Sequence, residues 1–312
     1  MEGLALLFFV VEVNFRKLFK LRGLFNSKHM RPASFSVFRP LSLKEAVGVL
    51  SENDDAKVLA GGQSLIPMMK LRVFSPPKLV SLQRVKEIQP SISDEGNYIS
   101  INSLTTYEDI AHNGDIRQKL PALAKAAGEV ADQQIRNRGT IGGNVCHGDS
   151  AANLGVTLLA LGATLVIEGV RGERKAGIDG FHTGPFSVAL EHDEVVKRFE
   201  VPYDNSSKQT FMKISKTATT WPMASVAVNI SVSGSTVAKA RIALGVAGPT
   251  VLRAHRAEAY LEGKSLSADV VAKAAELAVD GLNPPSDIHA DSEYRAHLLK
   301  VLTRRSLESL GV

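Results

Sequence analysis

Two pairs of adjacent glycines limit what this chain can fold into more than any other feature. The first lies in "KVLAGGQSLIPMMKLR", residues 57–72, and the second in "QIRNRGTIGGNVCHGD", residues 134–149. A glycine pair after a strand permits positive φ and removes the Cβ, so that consecutive backbone N–H groups can converge on an anion. A helix starting just beyond adds partial positive charge. Ser64 and Thr140 can add hydroxyl donors, and Asn144 an amide. One such corner is more often a steric turn than a site. Two of similar make-up predict a diphosphate clamped from both sides. No G-x-G-x-x-G follows a strand, and no G-x-x-x-x-G-K-[ST] occurs. The expectation is therefore a dinucleotide held by something other than a Rossmann fold.

The chain has 312 residues, enough for two or three compact units, and 44% apolar content supplies material for their cores. Of the formal charge of +5, residues 1–29 carry +3, from Arg16, Lys17, Lys20, Arg22 and Lys28 against Glu2 and Glu12. The rest is close to neutral and has no dense basic block, which argues against nucleic acid as a partner. Cys146 is the single cysteine, so this chain can build neither an internal disulfide nor a cysteine-held zinc or iron–sulfur centre. It reads as a small buried residue. "LALLFFVVEV" near the N-terminus is shorter than the roughly 20 residues that span a bilayer. Its basic residues follow the apolar run, the reverse of a secretory signal. The expectation is a fold that begins near Met30, with residues 1–29 an N-terminal extension outside it.

Along the chain, Ser42 with Glu45 three residues later predicts a capped helix, and "AKVLAGG" a short buried strand broken at Gly61. "SLIPMMKLR" reads as a helix or turn limited by Pro67, and "PPKLVSLQRV" as a turn and strand. "NYISINSLTTYEDIAHN" reads as a strand and then a helix starting near Thr105 or Thr106. "LPALAKAAGEVADQQIRNRG" predicts one amphipathic helix ending toward Asn137 and Gly139. "AANLGVTLLALGA" predicts an apolar helix stopped by Gly162, with a strand in "TLVIEGV" and another ending "RFEVP". These elements lack a regular βαβ repeat, which argues α+β. A boundary is expected in "PYDNSSKQ", residues 202–209, followed by a β-hairpin in "SVAVNISVSGSTVAKARIALGVAG" and three helices.

"AGGQSLIPMMKLR" and "IRNRGTIGGNVCHGDSAANLGVTLLALGA" together resemble the two FAD motifs of the FAD-binding (medium) subunits of the molybdenum hydroxylases, the carbon-monoxide dehydrogenase and xanthine dehydrogenase type. The resemblance runs from about Met30 to the C-terminus and takes in "IALGVAGPTVLRAHRAEAYLEGKSL" and "SEYRAHLLKVLTRRSLESL". It implies a two-subdomain FAD-binding module of the vanillyl-alcohol oxidase type over residues 30–206, divided near residue 86, and a small α/β C-terminal domain over 207–312. Carried over, it places Ala60, Gly61, Gly62, Gln63, Ser64 and Leu65 on one side of the FAD pyrophosphate, and Thr140, Ile141, Gly142, Gly143 and Asn144 on the other. Asn153 stands in "GDSAAN" where relatives commonly read "ADPAAD", so an amide replaces an aspartate expected at FAD. "KISKTATTWPMASVAV" departs from K-x-S-x-R-x-x-D-x-A, with Lys216 for the arginine and Trp221 near the aspartate position, and receives no flavin contact. "AGGQS" has no histidine, so the flavin would be non-covalent.

The same resemblance implies partners: an iron–sulfur small subunit carrying [2Fe–2S], a molybdopterin large subunit where substrate is oxidised, and an assembly of two heterotrimers. Electrons would pass through FAD to a quinone, oxygen, NAD or another acceptor. The location would be cytoplasmic, free or at the inner face of the membrane. No catalytic or metal-ligating residue is assigned: His182, His192 and His289 have no ligand spacing, and His147 reads as an ordinary loop histidine. Lys70 and Arg72 either steer phosphate or cap a helix. A stand-alone FAD oxidase or reductase and a flavin-free assembly subunit are the alternatives.

Overall fold

The computed structural model describes residues 31–311, so the expected extension over residues 1–29 lies outside the described residues. The first lobe is built from β1 (Ser36–Phe38), α1 (Leu43–Ser51), β2 (Ala56–Leu59), α2 (Leu65–Lys70) and β3 (Lys78–Ser81). Ser42 Oγ accepts from the Glu45 N–H at 3.2 Å and so starts α1, as the spacing predicts. Pro67 falls in the first turn of α2, where its missing N–H costs nothing. The strands form a parallel sheet in the order β1-β3-β2. β2 is less buried than expected: only Ala56 is fully covered, while Val58 and Leu59 face a cleft.

The second lobe begins with β4 (Ile92–Asp94) and β5 (Tyr98–Asn102), then α3 (Tyr107–His112), α4 (Gly114–Lys119), α5 (Pro121–Gly128), α6 (Gln133–Arg136), α7 (Ile141–Cys146) and α8 (Asn153–Leu161). β6 (Thr164–Gly169), β7 (Gly172–Gly177), β8 (His182–Gly184), β9 (Ser187–Val188) and β10 (Val195–Pro202) follow. Five of these strands make an antiparallel sheet, β4-β5-β10-β6-β7. Thr106 and Asp109 form a reciprocal capping box at α3.

Two expectations are corrected here. The single helix expected over residues 120–139 is two, α5 and α6. Ala131 adopts φ +41 between them, and the Asp132 side chain caps α6 by accepting from the Ile135 N–H at 2.9 Å. Alanine richness favoured continuity, but the aspartate cap restarts the helix at a new angle. The second glycine pair does not follow a strand and has no positive φ. Gly142 and Gly143 sit in the first turn of α7, and of the four glycines only Gly62 is left-handed, at φ +73.

The C-terminal part holds β11 (Ser207–Ser215), β12 (Pro222–Ser233), β13 (Thr236–Gly245) and β14 (Leu252–Arg253), an antiparallel sheet in sequence order. α9 (His255–Leu261), α10 (Ala268–Val279) and α11 (Ser292–Ser309) complete it. β12 and β13 form the expected hairpin around Gly234. Both faces of this sheet are covered. Val226, Val228, Ile230, Ile242 and Leu244 pack on α9 and α11 through Leu261, Leu298 and Leu299, and α10 joins the same core through Val271 and Ala274. Phe211, Ala227 and Ala243 share a core with Leu154, Val156 and Leu158 of α8, and that core continues to Leu165, Ile167 and Phe199 of the five-stranded sheet. All nine residues of α8 are buried, and it is the helix around which the chain is assembled. Among the described residues no helix is long and apolar enough to cross a membrane.

Candidate functional site

The first glycine corner closes against the second. Gly61 lies so near the Arg138 carbonyl that a Cβ there would overlap its oxygen, and a Cβ on Gly143 would stand 3.9 Å from Ala60 Cβ. The two bends, about eighty residues apart in sequence, thus line one cleft of about 610 Å³. The volume lies within the usual range of roughly 300–1,000 Å³ for ligand sites. One wall carries Val58 to Leu65, with Met68 and Phe74; the other carries Ser103, Leu104, Tyr107, Gly139, Thr140, Gly142 and Gly143. Cys146, His147 and the Phe186–Val196 segment form the far end.

The two corners differ in what they offer. None of the five consecutive N–H groups from Gly61 to Leu65 donates to an acceptor among the described residues. A run of free amides around a left-handed glycine is an anion-binding concavity. At the second corner Ile141 N–H donates to Thr105 O at 3.0 Å, Gly142 N–H to Ser103 O at 2.9 Å, and Gly143 N–H to Thr140 Oγ1 at 3.1 Å. Asn144 N–H donates to Thr140 O at 2.9 Å, which leaves the Thr140 N–H as the one amide of this corner without an acceptor among the described residues. The clamp is therefore lopsided: an amide nest on one side, and on the other a close, Cβ-free wall with one amide. Gly142 is needed for fit, since a Cβ there would meet Ser103 at 2.8 Å.

The sequence-predicted residues divide accordingly. Ala60 to Leu65, Thr140, Gly142 and Gly143 reach the cleft, whereas Ile141, Asn144 and Asn153 do not line it. Ile141 is core. Asn144 Nδ2 donates to Tyr107 Oη at 3.2 Å, with Oδ1 unpaired among the described residues. Asn153 is buried at the start of α8, where its Nδ2 donates to Ala126 O at 3.0 Å and ties α8 to α5. Lys70 and Arg72 stay outside the cleft lining, and Trp221 is 60% exposed.

Electrostatics at the cleft are muted. Burial pushes the Tyr107 hydroxyl up to about 12, with Asn144 opposing. Burial likewise pushes the half-buried Cys146 thiol up to about 12, and lowers His147 below the usual imidazole range against a small opposing pull from Asp149. The Arg174 guanidinium holds the Glu194 carboxyl below the ordinary range, at 2.6 Å. His192 Nε2–H points at Leu50 O (2.7 Å) and Asn53 O (2.9 Å), pinning the far end to α1 of the first lobe. Tyr107, Ser103 and the Phe186–Val196 segment went unrecognised in the sequence. Their only local signal was the turn-forming "TGPF" before Ser187. Among the described residues no three His, Cys, Asp or Glu side chains gather around a metal-sized site.

Comparison with known proteins adds identity at the level of family. The model described as FAD binding domain in molybdopterin dehydrogenase matches residues 33–204, and that described as CO dehydrogenase flavoprotein C-terminal domain matches residues 209–310. The glyceraldehyde dehydrogenase medium chain of Sulfolobus acidocaldarius is 36% identical over 282 residues, which cover 90% of this chain and 100% of that one. A solved structure of carbon monoxide dehydrogenase from Hydrogenophaga pseudoflava, lacking the Mo-pyranopterin moiety of the molybdenum cofactor, matches with a TM-score of 0.88 at 37% identity. The match covers 90% of this chain and 98% of the other. Quinoline 2-oxidoreductase from Pseudomonas putida 86 matches with a TM-score of 0.85 at 34% identity, again over 90% and 98% of the two chains.

Proposed function

The chain belongs to the family of FAD-binding medium subunits of molybdopterin dehydrogenases, and from that premise we propose that it binds FAD non-covalently and relays electrons between partner subunits and an outside acceptor. The observation that carries the cofactor assignment is the run of five amides from Gly61 to Leu65, unpaired among the described residues and opening into a cleft of dinucleotide size. These amides would hold the pyrophosphate. Neutral amide dipoles fixed in advance cost no reorganisation on binding and leave the oxygens no need of a buried cation. The Thr140 N–H would add a donor from the other flank. Val58, Leu59, Met68, Phe74 and Leu104 would cover the ring systems and keep water away. When bound, FAD supplies redox chemistry that no side chain here can provide.

The reading as one subunit of a larger enzyme is supported by the single cysteine, since iron–sulfur centres delivering electrons need several thiolates. An iron–sulfur subunit and a molybdopterin subunit are the proposed partners, two such trimers the proposed assembly, and a cytoplasmic location the proposed setting. Substrate choice then resides in the molybdopterin chain. The test is to express this chain alone and record its visible spectrum. A flavin spectrum, with FAD released intact on acid precipitation, is expected. The bound flavin should stay oxidised under anaerobic carbon monoxide, aldehydes or N-heterocycles until the partner chains are added. A colourless protein that takes up no added FAD would overturn the cofactor assignment. Direct reduction by one of these substrates would overturn the subunit reading and favour a stand-alone enzyme.

A further inference from the structure

Resting on the FAD reading, we propose that Phe186 is a specificity residue of the cleft, packing its ring on the adenine half of the dinucleotide with the His147 imidazole beside it. Phe186 sits between β8 and β9 with φ +53, a left-handed conformation that bulky L-residues avoid. It is locked there. Its N–H donates to Gly148 O at 3.0 Å, and Gly148 is itself left-handed at φ +70, where a Cβ would come within 2.8 Å of Ser187 N. Two left-handed corners from separate segments are thus pressed together, only the one at Phe186 strained, and the outcome is an aromatic residue 55% exposed at the rim of an apolar cleft. It belongs to none of the hydrophobic cores. Its nearest aromatic neighbour is His147, with ring centroids 5.1 Å apart and planes tilted by 52°. Flat rings held rigidly at a cleft mouth are what a nucleobase stacks on.

Charge selects the adenine over the isoalloxazine. At this end of the cleft burial disfavours charge on both Cys146 and His147, Val188 and Leu190 are apolar, and the Glu194 carboxylate is paired with Arg174. Glu191 makes no ion pair among the described residues. A free carboxylate opposes the negative charge that a flavin gains on reduction, but accepts well from the hydroxyls of an adenosine ribose. An unpaired cation lies elsewhere among the described residues, near residues 129–138: Lys213 Nζ donates to Glu129 O at 2.6 Å, whereas Arg136, which donates to Val130 O at 3.3 Å, is paired with Glu108 at 3.1 Å.

Calorimetric titration of the flavin-free chain with FAD, ADP and FMN tests this, comparing the wild type with Phe186→Gly and Phe186→Leu. A base–aromatic stack is worth roughly 1–3 kcal/mol, so Phe186→Gly should weaken FAD and ADP by about 5- to 150-fold. FMN, which lacks adenosine, should bind as before, and Phe186→Leu should fall between. The melting temperature of ligand-free Phe186→Gly should not drop, because glycine accepts φ +53 without strain. Equal weakening of FAD and FMN, or no weakening at all, would overturn the proposal while leaving the FAD reading in place. A fall in the melting temperature without ligand would overturn it too, since the ring would then serve the fold. Failure of the wild type to bind FAD or ADP would remove the FAD reading and this proposal together.

Discussion

Gly61 and Gly62 are neighbours with different reasons for lacking a side chain. Gly61 is a contact glycine, with the Arg138 carbonyl where its Cβ would be, whereas Gly62 is a conformational one at φ +73. Gly61→Ala must push the two walls apart, an overpacking that costs about 1–3 kcal/mol. Gly62→Ala crowds only side chains, Ile66 Cγ1 at 3.2 Å and Leu59 Cδ1 at 3.3 Å, and pays about 1–2 kcal/mol for the left-handed turn. Both variants should lose FAD on gel filtration, with Gly61→Ala melting at least as early as Gly62→Ala; retention of stoichiometric flavin by Gly61→Ala would contradict the shared cleft. The sequence displayed both pairs, but not which glycine is needed for what, because Arg138 and Ser103, the groups they touch, are remote in the chain. Tyr107 carries a second residue-scale consequence. Its hydroxyl is raised by burial from 10.0 to about 12, so its contribution to stability is complete below pH 10 and is lost as pH rises through 12. Two pKa units correspond to about 3 kcal/mol. Tyr107→Phe should flatten the alkaline loss in urea melts taken from pH 9 to 12, while losing the Asn144 hydrogen bond at neutral pH.

At the level of elements, the helices were legible where side-chain caps and periodicity agreed, as at Ser42 and Thr106, and misread where an internal cap interrupted a helix-favouring composition. Asp132 is that cap. Its replacement by alanine should cost about 1 kcal/mol and loosen α6, the element that delivers Arg138 and Gly139 to the cleft. Tighter FAD binding by Asp132→Ala, or an unchanged melting temperature, would argue against this role. Asn153 was read as a cofactor contact from its place in a motif, but in this fold its amide supports the Ala126 carbonyl between α5 and α8. Asn153→Ala leaves that buried acceptor unpaired, a loss of about 1–3 kcal/mol. The expected result is a lower urea midpoint with little change in FAD affinity; the opposite pattern would return Asn153 to the site.

Across the whole molecule, the matched C-terminal domain region is not an appendage. Sequence alternation in β12 and β13 located a sheet and, on one face, its β-branched core. The opposite face is made small by Ser225, Ala227, Ala243 and Gly245, and this is where α8 lies: a Cβ on Gly245 would come within 2.6 Å of Val156 Cγ2. That pattern was visible, but its partner, an apolar helix about seventy to ninety residues upstream, was not deducible from spacing. The junction is also polar at its edge, where Arg253 Nη1 donates to Asp179 Oδ2 at 2.9 Å and Arg241 Nη2 to Leu159 O at 3.2 Å. Because one hydrophobic core passes from the five-stranded sheet through α8 to β12 and β13, neither region can unfold without exposing apolar surface of the other. Flavin-free chain should therefore melt in a single calorimetric transition whose enthalpy matches the van't Hoff value, and residues 31–206 expressed alone should bind a hydrophobic dye and lack sharp side-chain signals. Two resolved transitions, or a soluble and well-ordered 31–206 fragment, would mean that α8 is covered well enough by its own sheet and that the shared core contributes little.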